Sequence, residues 1–231
     1  VETVRIPAKG RSTICVSSQA GCTRKCTFCA TKELGFIRQL SAEEMLAQYL
    51  LARAEAPPET PATNVVFMGM GEPMDNLDEV LRAVECLTQS PAPQLRHVAV
   101  TVSTSGVLPG LKRFLKDSKA SLALSLNATT DEVRAQVMPQ TKTWPIASLL
   151  EALREDAHRR NHKRDYFIEY VLFGGLNDTD EDADRLVKLL DGIPSRVNLI
   201  PYNPYPGTGL VTPTEARVNA FHQRLVRQGV L

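Results

Sequence analysis

The chain has 231 residues, a formal net charge of +1 and 43% hydrophobic residues, so it is long enough to bury a sizeable core in one or two domains. A balance so close to neutral excludes a strong global field, and attraction to a nucleic acid would need a local patch of charge. No apolar run of about eighteen residues, signal-peptide pattern or paired disulfide framework is visible, which predicts a cytoplasmic protein without a membrane segment.

The predicted elements alternate short β-branched runs with longer amphipathic stretches, a pattern typical of a parallel sheet with crossover helices. Strands are expected, in chain order, near 13–17, 64–68, 97–103, 121–126, 166–172 and 196–200. Helices are expected at 41–55, 77–89, 108–117, 131–138, 146–160, 180–191 and 214–228. This order predicts an α/β fold, a partial (β/α)6 barrel with a parallel sheet, formed by a single domain over residues 1–231.

The helix at 41–55 has the clearest start signal. Ser41 and Glu44 have capping-box spacing, which satisfies two backbone N–H groups at a helix start. Four apolar residues recur on one helical face: Met45, Leu46, Tyr49 and Leu50. Proline pairs at 57–58 and within 91–93 predict loops rather than domain linkers.

Three cysteines lie in the loop after the first predicted strand. Cys22, Cys26 and Cys29 form a C-x3-C-x2-C triplet, and Phe28 precedes the last of them. A structural zinc site closes with four ligands, whereas three cysteines can hold three irons of a 4Fe-4S cluster and leave the fourth iron open. The triplet therefore favours a cluster, and its spacing resembles that of radical S-adenosylmethionine (SAM) enzymes.

Zinc remains the alternative for the same cysteines. It requires a distant fourth ligand, for which the candidates are His97, His158, His162 and His222. On that interpretation the chain is a zinc-stabilised RNA-binding module without catalytic activity.

A glycine-rich turn, Gly69-Met70-Gly71-Glu72-Pro73, follows the second predicted strand and belongs at the same edge of the sheet. Glycine permits close approach of a ligand to the backbone, and the Glu72 carboxylate would accept hydrogen bonds from the ammonium group of SAM. The structural alternative is a turn before a helix, with Pro73 in its first turn.

Small polar residues end further strands at the same edge. The strings are Ser103-Thr104-Ser105-Gly106, Ser125-Leu126-Asn127-Ala128 and the segment 198–204. Their hydroxyl and amide groups suit the ribose, carboxylate and adenine of SAM. Capping of the following helix is the alternative for Ser103, Thr104 and Asn127.

Together these strings closely resemble one family, the bacterial dual-specificity methyltransferases that methylate C2 of an adenine in large-subunit ribosomal RNA and in transfer RNA. The matching strings are residues 2–7, 15–22, 69–73, 103–106, 168–170 and 198–207. A related C8 methyltransferase shares the cysteine pattern, but Ile168-Glu169-Tyr170 and residues 203–207 look more like the C2 enzymes.

The resemblance implies a 4Fe-4S cluster and SAM as cofactors, with Cys22, Cys26 and Cys29 as cluster ligands. It implies SAM contacts at Gly71, Glu72, Ser103, Ser125, Leu126, Asn127 and Asn203. A radical is needed because C2 of adenine is electron-poor. The implied partners are ribosomal RNA, transfer RNA and an electron donor such as flavodoxin, and we expect a monomer with no membrane partner.

Two further residues acquire roles from the resemblance. Glu2 matches the base that removes the C2 proton, and Cys15 matches the thiol that attacks a methyl-carrying cysteine, forms a disulfide and frees the product. By itself, a lone cysteine in a strand is a small buried apolar residue. Cys86, on the apolar face of a predicted helix, is assigned that role only.

The chain departs from the family at both ends. The methyl-carrying cysteine of the family lies on a C-terminal segment, whereas no cysteine follows Cys86 here, and the small N-terminal helical domain is also missing. Either the chain is a truncated portion, which we expect, or the protein has lost methyl transfer and retains only SAM and cluster chemistry. In both cases the chain by itself should bind SAM and transfer no methyl group.

RNA contact has two candidate basic segments. Residues 159–164 are the densest basic run, although cations at a helix end usually complement its dipole. Arg24 and Lys25 lie within the cysteine loop, where they would contact RNA or compensate the charge of the cluster.

Overall fold

The computed structural model describes residues 1–89 and 93–230, so the predicted break at Pro91 and Ala92 lies outside the described residues. The chain divides into two compact units. Unit 1 contains Val1–Arg24, Thr31–Thr104 and Pro109–Leu122, and unit 2 contains Lys25–Ala30, Ser105–Leu108 and the chain from Ala123 onward. The single domain expected over residues 1–231 stays a prediction. Across 1–89 and 93–230, every helix is too short or too polar to cross a membrane.

The strands are β1 (Val4–Ala8), β2 (Arg11–Cys15), β3 (Gln19–Gly21), β4 (Phe36–Gln39), β5 (Ala62–Phe67), β6 (Val100–Thr104), β7 (Ser121–Ser125), β8 (Tyr166–Leu172) and β9 (Ser195–Pro201). The α-helices are α1 (Ala42–Ala54), α2 (Leu77–Gln89), α3 (Leu108–Asp117), α4 (Asp131–Val137), α5 (Ile146–Arg159), α6 (Asp180–Leu189) and α7 (Glu215–Arg227). Short 3-10 helices lie at Ala30–Leu34, Pro73–Asn76, His97–Ala99 and Pro139–Lys142.

The strands of unit 1 form a mainly parallel arrangement. β2 pairs parallel with β5, and β5 pairs parallel with β6, whereas β1 pairs antiparallel with β2. β3 and β4 form a separate antiparallel pair. The predicted capping box of Ser41 and Glu44 is confirmed at the start of α1. Leu50 is 50% exposed, so the predicted apolar face is wrong at that position.

Unit 2 repeats the parallel pattern. Ala123, Leu124 and Ser125 of β7 pair with β8, and β8 pairs parallel with β9 over its whole length. Tyr170 on β8 stacks on Phe221 of α7, with ring centroids 5.6 Å apart. Alternate β8 side chains are fully buried, as a strand covered by helices requires.

All six predicted strands and all seven predicted helices are present, with small shifts at their ends. The first part of the predicted third strand, His97–Ala99, is instead a 3-10 helix. The sequence interpretation missed β1, β3 and β4. β1 is short, mostly exposed and contains Pro7, so it lacks the buried run that identifies a central strand.

The basic run at 159–164 is organised by one buried carboxylate. Asp156 is 3% exposed and forms ion pairs with three arginines of the run, Arg159, Arg160 and Arg164. It also accepts a hydrogen bond from the Tyr166 hydroxyl at 2.7 Å. Burial lowers the pKa of Arg164 to about 10. Three arginines of the run are therefore held within unit 2 by one carboxylate, which offsets a single charge, and this engagement weakens the run as a candidate RNA contact.

Candidate functional site

The part of the cysteine loop that belongs to unit 2 is tied down by hydrogen bonds. The Cys29 N–H donates to the Cys26 carbonyl at 3.2 Å, which closes a turn. The Thr27 N–H donates to the Val137 carbonyl at the end of α4 at 2.9 Å. The Tyr205 hydroxyl lies 3.3 Å from the carbonyl oxygens of both Thr27 and Cys29. These contacts fix the backbone between the two cysteines, and the sequence interpretation did not identify Tyr205.

An apolar cluster supports the same loop. Phe28 packs on Phe173 with ring centroids 5.4 Å apart, and Phe173 packs on Tyr202 at 5.2 Å. Cys26 also contacts this cluster, which is completed by Val137 and Met138. The aromatic residue before the last cysteine therefore anchors the loop in unit 2, and the Cys26 sulfur lies at an apolar surface.

Cys22 belongs to unit 1. Its N–H donates to the Gly35 carbonyl at 2.9 Å, and its sulfur accepts the Arg24 N–H at 3.3 Å. Gly21, the residue before it, has φ +77°, and a Cβ atom there would lie 1.9 Å from the Gly35 oxygen. Only glycine fits this position, because backbone atoms of β3 and the turn before β4 meet there.

Gly21→Ala should therefore disturb the backbone that leads into Cys22. We expect a loss of stability of about 2 kcal/mol or more, because the clash involves backbone rather than a flexible side chain. Urea denaturation measures this loss as a change in the free energy of unfolding. Gly10→Ala is the matched control, since Gly10 also has positive φ but its Cβ would meet no atom within 4 Å. Equal stability losses in the two variants would contradict the steric explanation.

The two basic residues of the cysteine loop, Arg24 and Lys25, have different surroundings. Arg24 forms an ion pair with Asp75, with Nε 2.8 Å from Oδ2, and both side chains are largely buried. Thr23 donates to the same carboxylate. Lys25 is exposed. Arg24 is thus committed to an ion pair within unit 1, and Lys25 is the better candidate for contact with RNA.

The residues present fit an iron–sulfur cluster. None of the five cysteines, all in the described part of the chain, forms a disulfide, and the residues Cys22, Cys26 and Cys29 are partly exposed. Two of their sulfurs already accept N–H hydrogen bonds, from Arg24 and from Gln140, an interaction typical of cluster ligands. Among residues 1–89 and 93–230, no three His, Cys, Asp or Glu side chains form a group suited to one metal ion. Cluster thiolates each bind a different iron, so they do not need to converge as zinc ligands do.

The glycine-rich turn of unit 1 is built around Gln19, which the sequence interpretation did not identify. Gly71 has φ +105°, and a Cβ atom there would lie 2.7 Å from the Gln19 nitrogen. The Gln19 side-chain oxygen accepts the N–H groups of Glu72 at 3.0 Å and Thr23 at 3.3 Å. One side chain therefore links the turn to the residue after Cys22.

Glu72 is 2% exposed, and its carboxylate accepts the Met74 N–H at 3.0 Å. It caps the 3-10 helix Pro73–Asn76, with Pro73 in the first turn. The structural alternative for this turn is thus present. A capping carboxylate has lone pairs left to accept an ammonium group, so capping and ligand binding are compatible.

Asn127 in unit 2 is buried, with φ +58°. Its amide oxygen accepts the Val171 N–H at 2.8 Å, and its amide nitrogen lies 3.3 Å from the Met138 sulfur. The predicted capping alternative is wrong here, because Thr130 is the N-cap of α4. Asn127 instead holds the end of β8.

The other predicted SAM contacts have different surroundings. Ser103 is half-buried on β6 in unit 1, and Ser125 is half-buried at the end of β7 in unit 2. Leu126 is fully buried, and its N–H donates to the Glu169 carbonyl at 3.0 Å. Asn203 is exposed in the loop after β9.

A buried arginine joins the strand ends of unit 2. Arg134 on α4 is fully buried, and its guanidinium donates to the carbonyls of Ser105 at 2.7 Å, Ser125 at 2.9 Å and Leu126 at 2.8 Å. It also donates to the Thr141 hydroxyl at 2.9 Å. Nothing in the amphipathic pattern of α4 distinguished this arginine from a surface residue.

The two predicted catalytic residues lie in unit 1. Glu2 is exposed, and its backbone carbonyl accepts the Ser17 hydroxyl at 2.7 Å. Cys15 is partly buried at the end of β2, and burial raises the pKa of its thiol, which a backbone hydrogen bond from Met68 partly offsets. Cys86 is exposed, so its assignment as a buried apolar residue is wrong.

The chain is similar to known proteins over most of its length. Residues 16–190 match the radical SAM superfamily model. The chain is 44% identical to the dual-specificity RNA methyltransferase RlmN of Syntrophobacter fumaroxidans, over 97% of this chain and 65% of that protein. It is 42% identical to the RlmN of Geobacter sulfurreducens, over 98% of this chain and 61% of that protein. The chain thus spans less than two thirds of the length of these relatives.

A solved structure agrees with the fold. A radical SAM methyltransferase from Sphaerobacter thermophilus superposes with a TM-score of 0.93 at 38% identity, covering 99% of this chain and 67% of that one. The predicted α/β fold class and radical SAM core are confirmed. The cofactors that follow are a 4Fe-4S cluster and SAM. The chain belongs to the radical SAM superfamily.

Proposed function

We propose that the chain is the radical SAM core of an RNA methyltransferase that methylates C2 of adenine in ribosomal RNA and transfer RNA. The observation that carries this proposal is the 42–44% identity, over 97–98% of the chain, to proteins named dual-specificity RNA methyltransferase RlmN. The chain spans 61–65% of those relatives, so the activity is assigned to the protein of which this core is the SAM-binding part.

Cys22, Cys26 and Cys29 would hold the cluster. Their partial exposure, and the N–H donors to the sulfurs of Cys22 and Cys26, support this assignment. When bound, the cluster and SAM supply the radical chemistry that methylation of an electron-poor carbon requires. Tyr205 and Thr27 hold the backbone between two of the ligands.

The SAM contacts are proposed on the residues of the strand ends. Glu72 would accept the ammonium group of SAM, and Gly71 would let the ligand approach the backbone. Gln19 holds both residues in place through the Glu72 N–H. In unit 2, Arg134 holds the carbonyls of Ser125 and Leu126, which leaves the Ser125 hydroxyl available for a ribose.

The decisive experiment measures the modified base. The gene that encodes this chain is expressed in a bacterium whose own adenine-C2 methylase has been deleted, and the nucleosides of its ribosomal and transfer RNA are analysed by mass spectrometry. We expect 2-methyladenosine in both RNAs. 8-Methyladenosine would favour the C8 enzyme, and absence of both products would contradict the proposed function.

Glu2 is proposed as the base for the C2 proton, and Cys15 as the thiol that releases the product. The pKa of Cys15 is raised by burial, so little thiolate exists near neutral pH. If Cys15 attack limits turnover, product release should accelerate as pH rises toward that pKa. The electron donor, the monomeric state and the cytoplasmic location stay predictions.

Cys15→Ala in the protein expressed from the whole gene should cleave SAM but stall before release. The expected result is a covalent protein–RNA species on denaturing electrophoresis, because no thiol attacks the linking sulfur. Cys86→Ala is the control, since that cysteine is exposed on α2. Normal turnover by Cys15→Ala would leave Cys15 as a small buried apolar residue.

A further inference from the structure

A buried glutamine of unit 2 contacts one of the proposed cluster ligands. The Gln140 side-chain nitrogen lies 3.8 Å from the Cys26 sulfur and 3.5 Å from the Ser105 carbonyl oxygen. Gln140 is 9% exposed. Neither the sequence interpretation nor the family resemblance drew attention to this residue.

The backbone of Gln140 is held in position by its own short helix. It lies in the 3-10 helix Pro139–Lys142, and its carbonyl accepts the N–H groups of Thr143 and Trp144, both at 3.0 Å. The next residue, Thr141, accepts a hydrogen bond from the Arg134 guanidinium at 2.9 Å. The side-chain amide is therefore delivered from a fixed backbone rather than from a mobile loop.

The cysteine loop is anchored to the chain just before that helix. The Thr27 N–H donates to the Val137 carbonyl at 2.9 Å, and Cys26 packs against the apolar cluster that includes Val137 and Met138. The sulfur and the amide are thus attached to the same rigid segment of unit 2.

The chemistry of the two neighbours determines which end of the amide faces them. A carbonyl oxygen and a sulfur are both acceptors, so only the NH2 group, which carries two donors, can satisfy them together. The Ser105 carbonyl also accepts the Arg134 guanidinium at 2.7 Å. One amide N–H therefore suffices for Ser105, and the other is available to the sulfur.

We propose that Gln140 donates a hydrogen bond to the sulfur of Cys26 and thereby raises the reduction potential of the cluster that this cysteine binds. This inference rests on the proposed function. Reduction adds negative charge that is shared with the thiolate sulfurs, and an N–H directed at a sulfur stabilises that charge. A thiolate is a stronger acceptor than a thiol, so the contact should shorten when Cys26 binds iron. Gln140 is a positioning residue, since it acts through Cys26.

The test measures the potential rather than the activity. Gln140→Leu keeps the approximate volume but has no donor, and the reconstituted protein is titrated potentiometrically without SAM, with the reduced cluster followed by electron paramagnetic resonance. We expect an about tenfold lower ratio of reduced to oxidised cluster at a fixed potential, equivalent to a midpoint about 59 mV lower for a one-electron couple. Gln136→Leu is the matched control, because Gln136 lies on α4 with an exposed side chain.

The outcomes separate this inference from the proposed function. Wild-type protein that binds no iron after reconstitution would defeat the cluster assignment itself. Wild type and Gln140→Leu with the same iron content and the same midpoint would overturn the role of Gln140 alone. Should Gln140→Leu lose iron, Gln140→Met is titrated instead. An unchanged midpoint in Gln140→Met would also overturn a tuning role. Loss of iron from both Gln140 variants, with iron retained by Gln136→Leu, would overturn that role as well.

Discussion

Replacing any one of Cys22, Cys26 and Cys29 by alanine should reduce cluster iron to a small fraction of the wild-type content and abolish reductive cleavage of SAM. Three cysteine ligands provide no substitute when one is lost, because a fourth position must stay open for SAM. The measurements are iron and sulfide content after anaerobic reconstitution, the absorption of the cluster, and 5′-deoxyadenosine formation.

The fold should survive these substitutions. All three residues are partly exposed and none is a fully buried core residue, although Cys26 packs against the apolar cluster of unit 2. Cys86→Ala, at an exposed position of α2, is the matched control and should keep both iron and SAM cleavage. Undiminished cleavage by any variant of the triplet would defeat the cluster assignment. Reconstituted wild-type protein that binds an equimolar amount of zinc and no iron would instead favour the zinc alternative.

Arg134→Met should destabilise the protein by about 3 kcal/mol, because it removes a buried guanidinium and leaves several buried carbonyls without their donor. The carbonyls are those of Ser105, Ser125 and Leu126. Methionine has a similar length and is apolar, so the loss reports hydrogen bonding more than volume. Urea denaturation, monitored by circular dichroism, measures the free energy of unfolding.

The position of Arg134 beside the strand ends also predicts an effect on SAM binding. Under conditions where Arg134→Met is still folded, SAM affinity should fall, because the strand-end carbonyls beside Ser125 are no longer held in register. Arg227→Met is the control, since Arg227 is exposed at the end of α7. A stability loss below about 1 kcal/mol in Arg134→Met, or one matched by Arg227→Met, would contradict this role.

Local patterns in the sequence were sufficient for most of the secondary structure. The capping box at Ser41 and Glu44 and the apolar periodicity of the helices depend on neighbours in the chain, and all seven helices were predicted. β1 escaped detection because its exposed residues have no buried pattern, although its partner β2 is the next strand along the chain. Leu50 was predicted on the apolar face but is exposed, because periodicity does not reveal how wide a face of the helix its neighbours cover.

The same division applies to the candidate site. The sequence by itself determined the ligand chemistry, because the spacing of Cys22, Cys26 and Cys29 is a local property of one loop. The residues that hold this loop and the strand ends, such as Gln19, Arg134 and Gln140, were decided by the tertiary structure. Gln19 bonds to Glu72, which is 53 residues away, and Arg134 bonds to Ser105, which is 29 residues away. Gln140 contacts Cys26 across 114 residues. Hydrogen bonds of this kind depend on distances that packing creates, and an arginine or glutamine in an amphipathic pattern looks the same whether it faces water or a buried carbonyl.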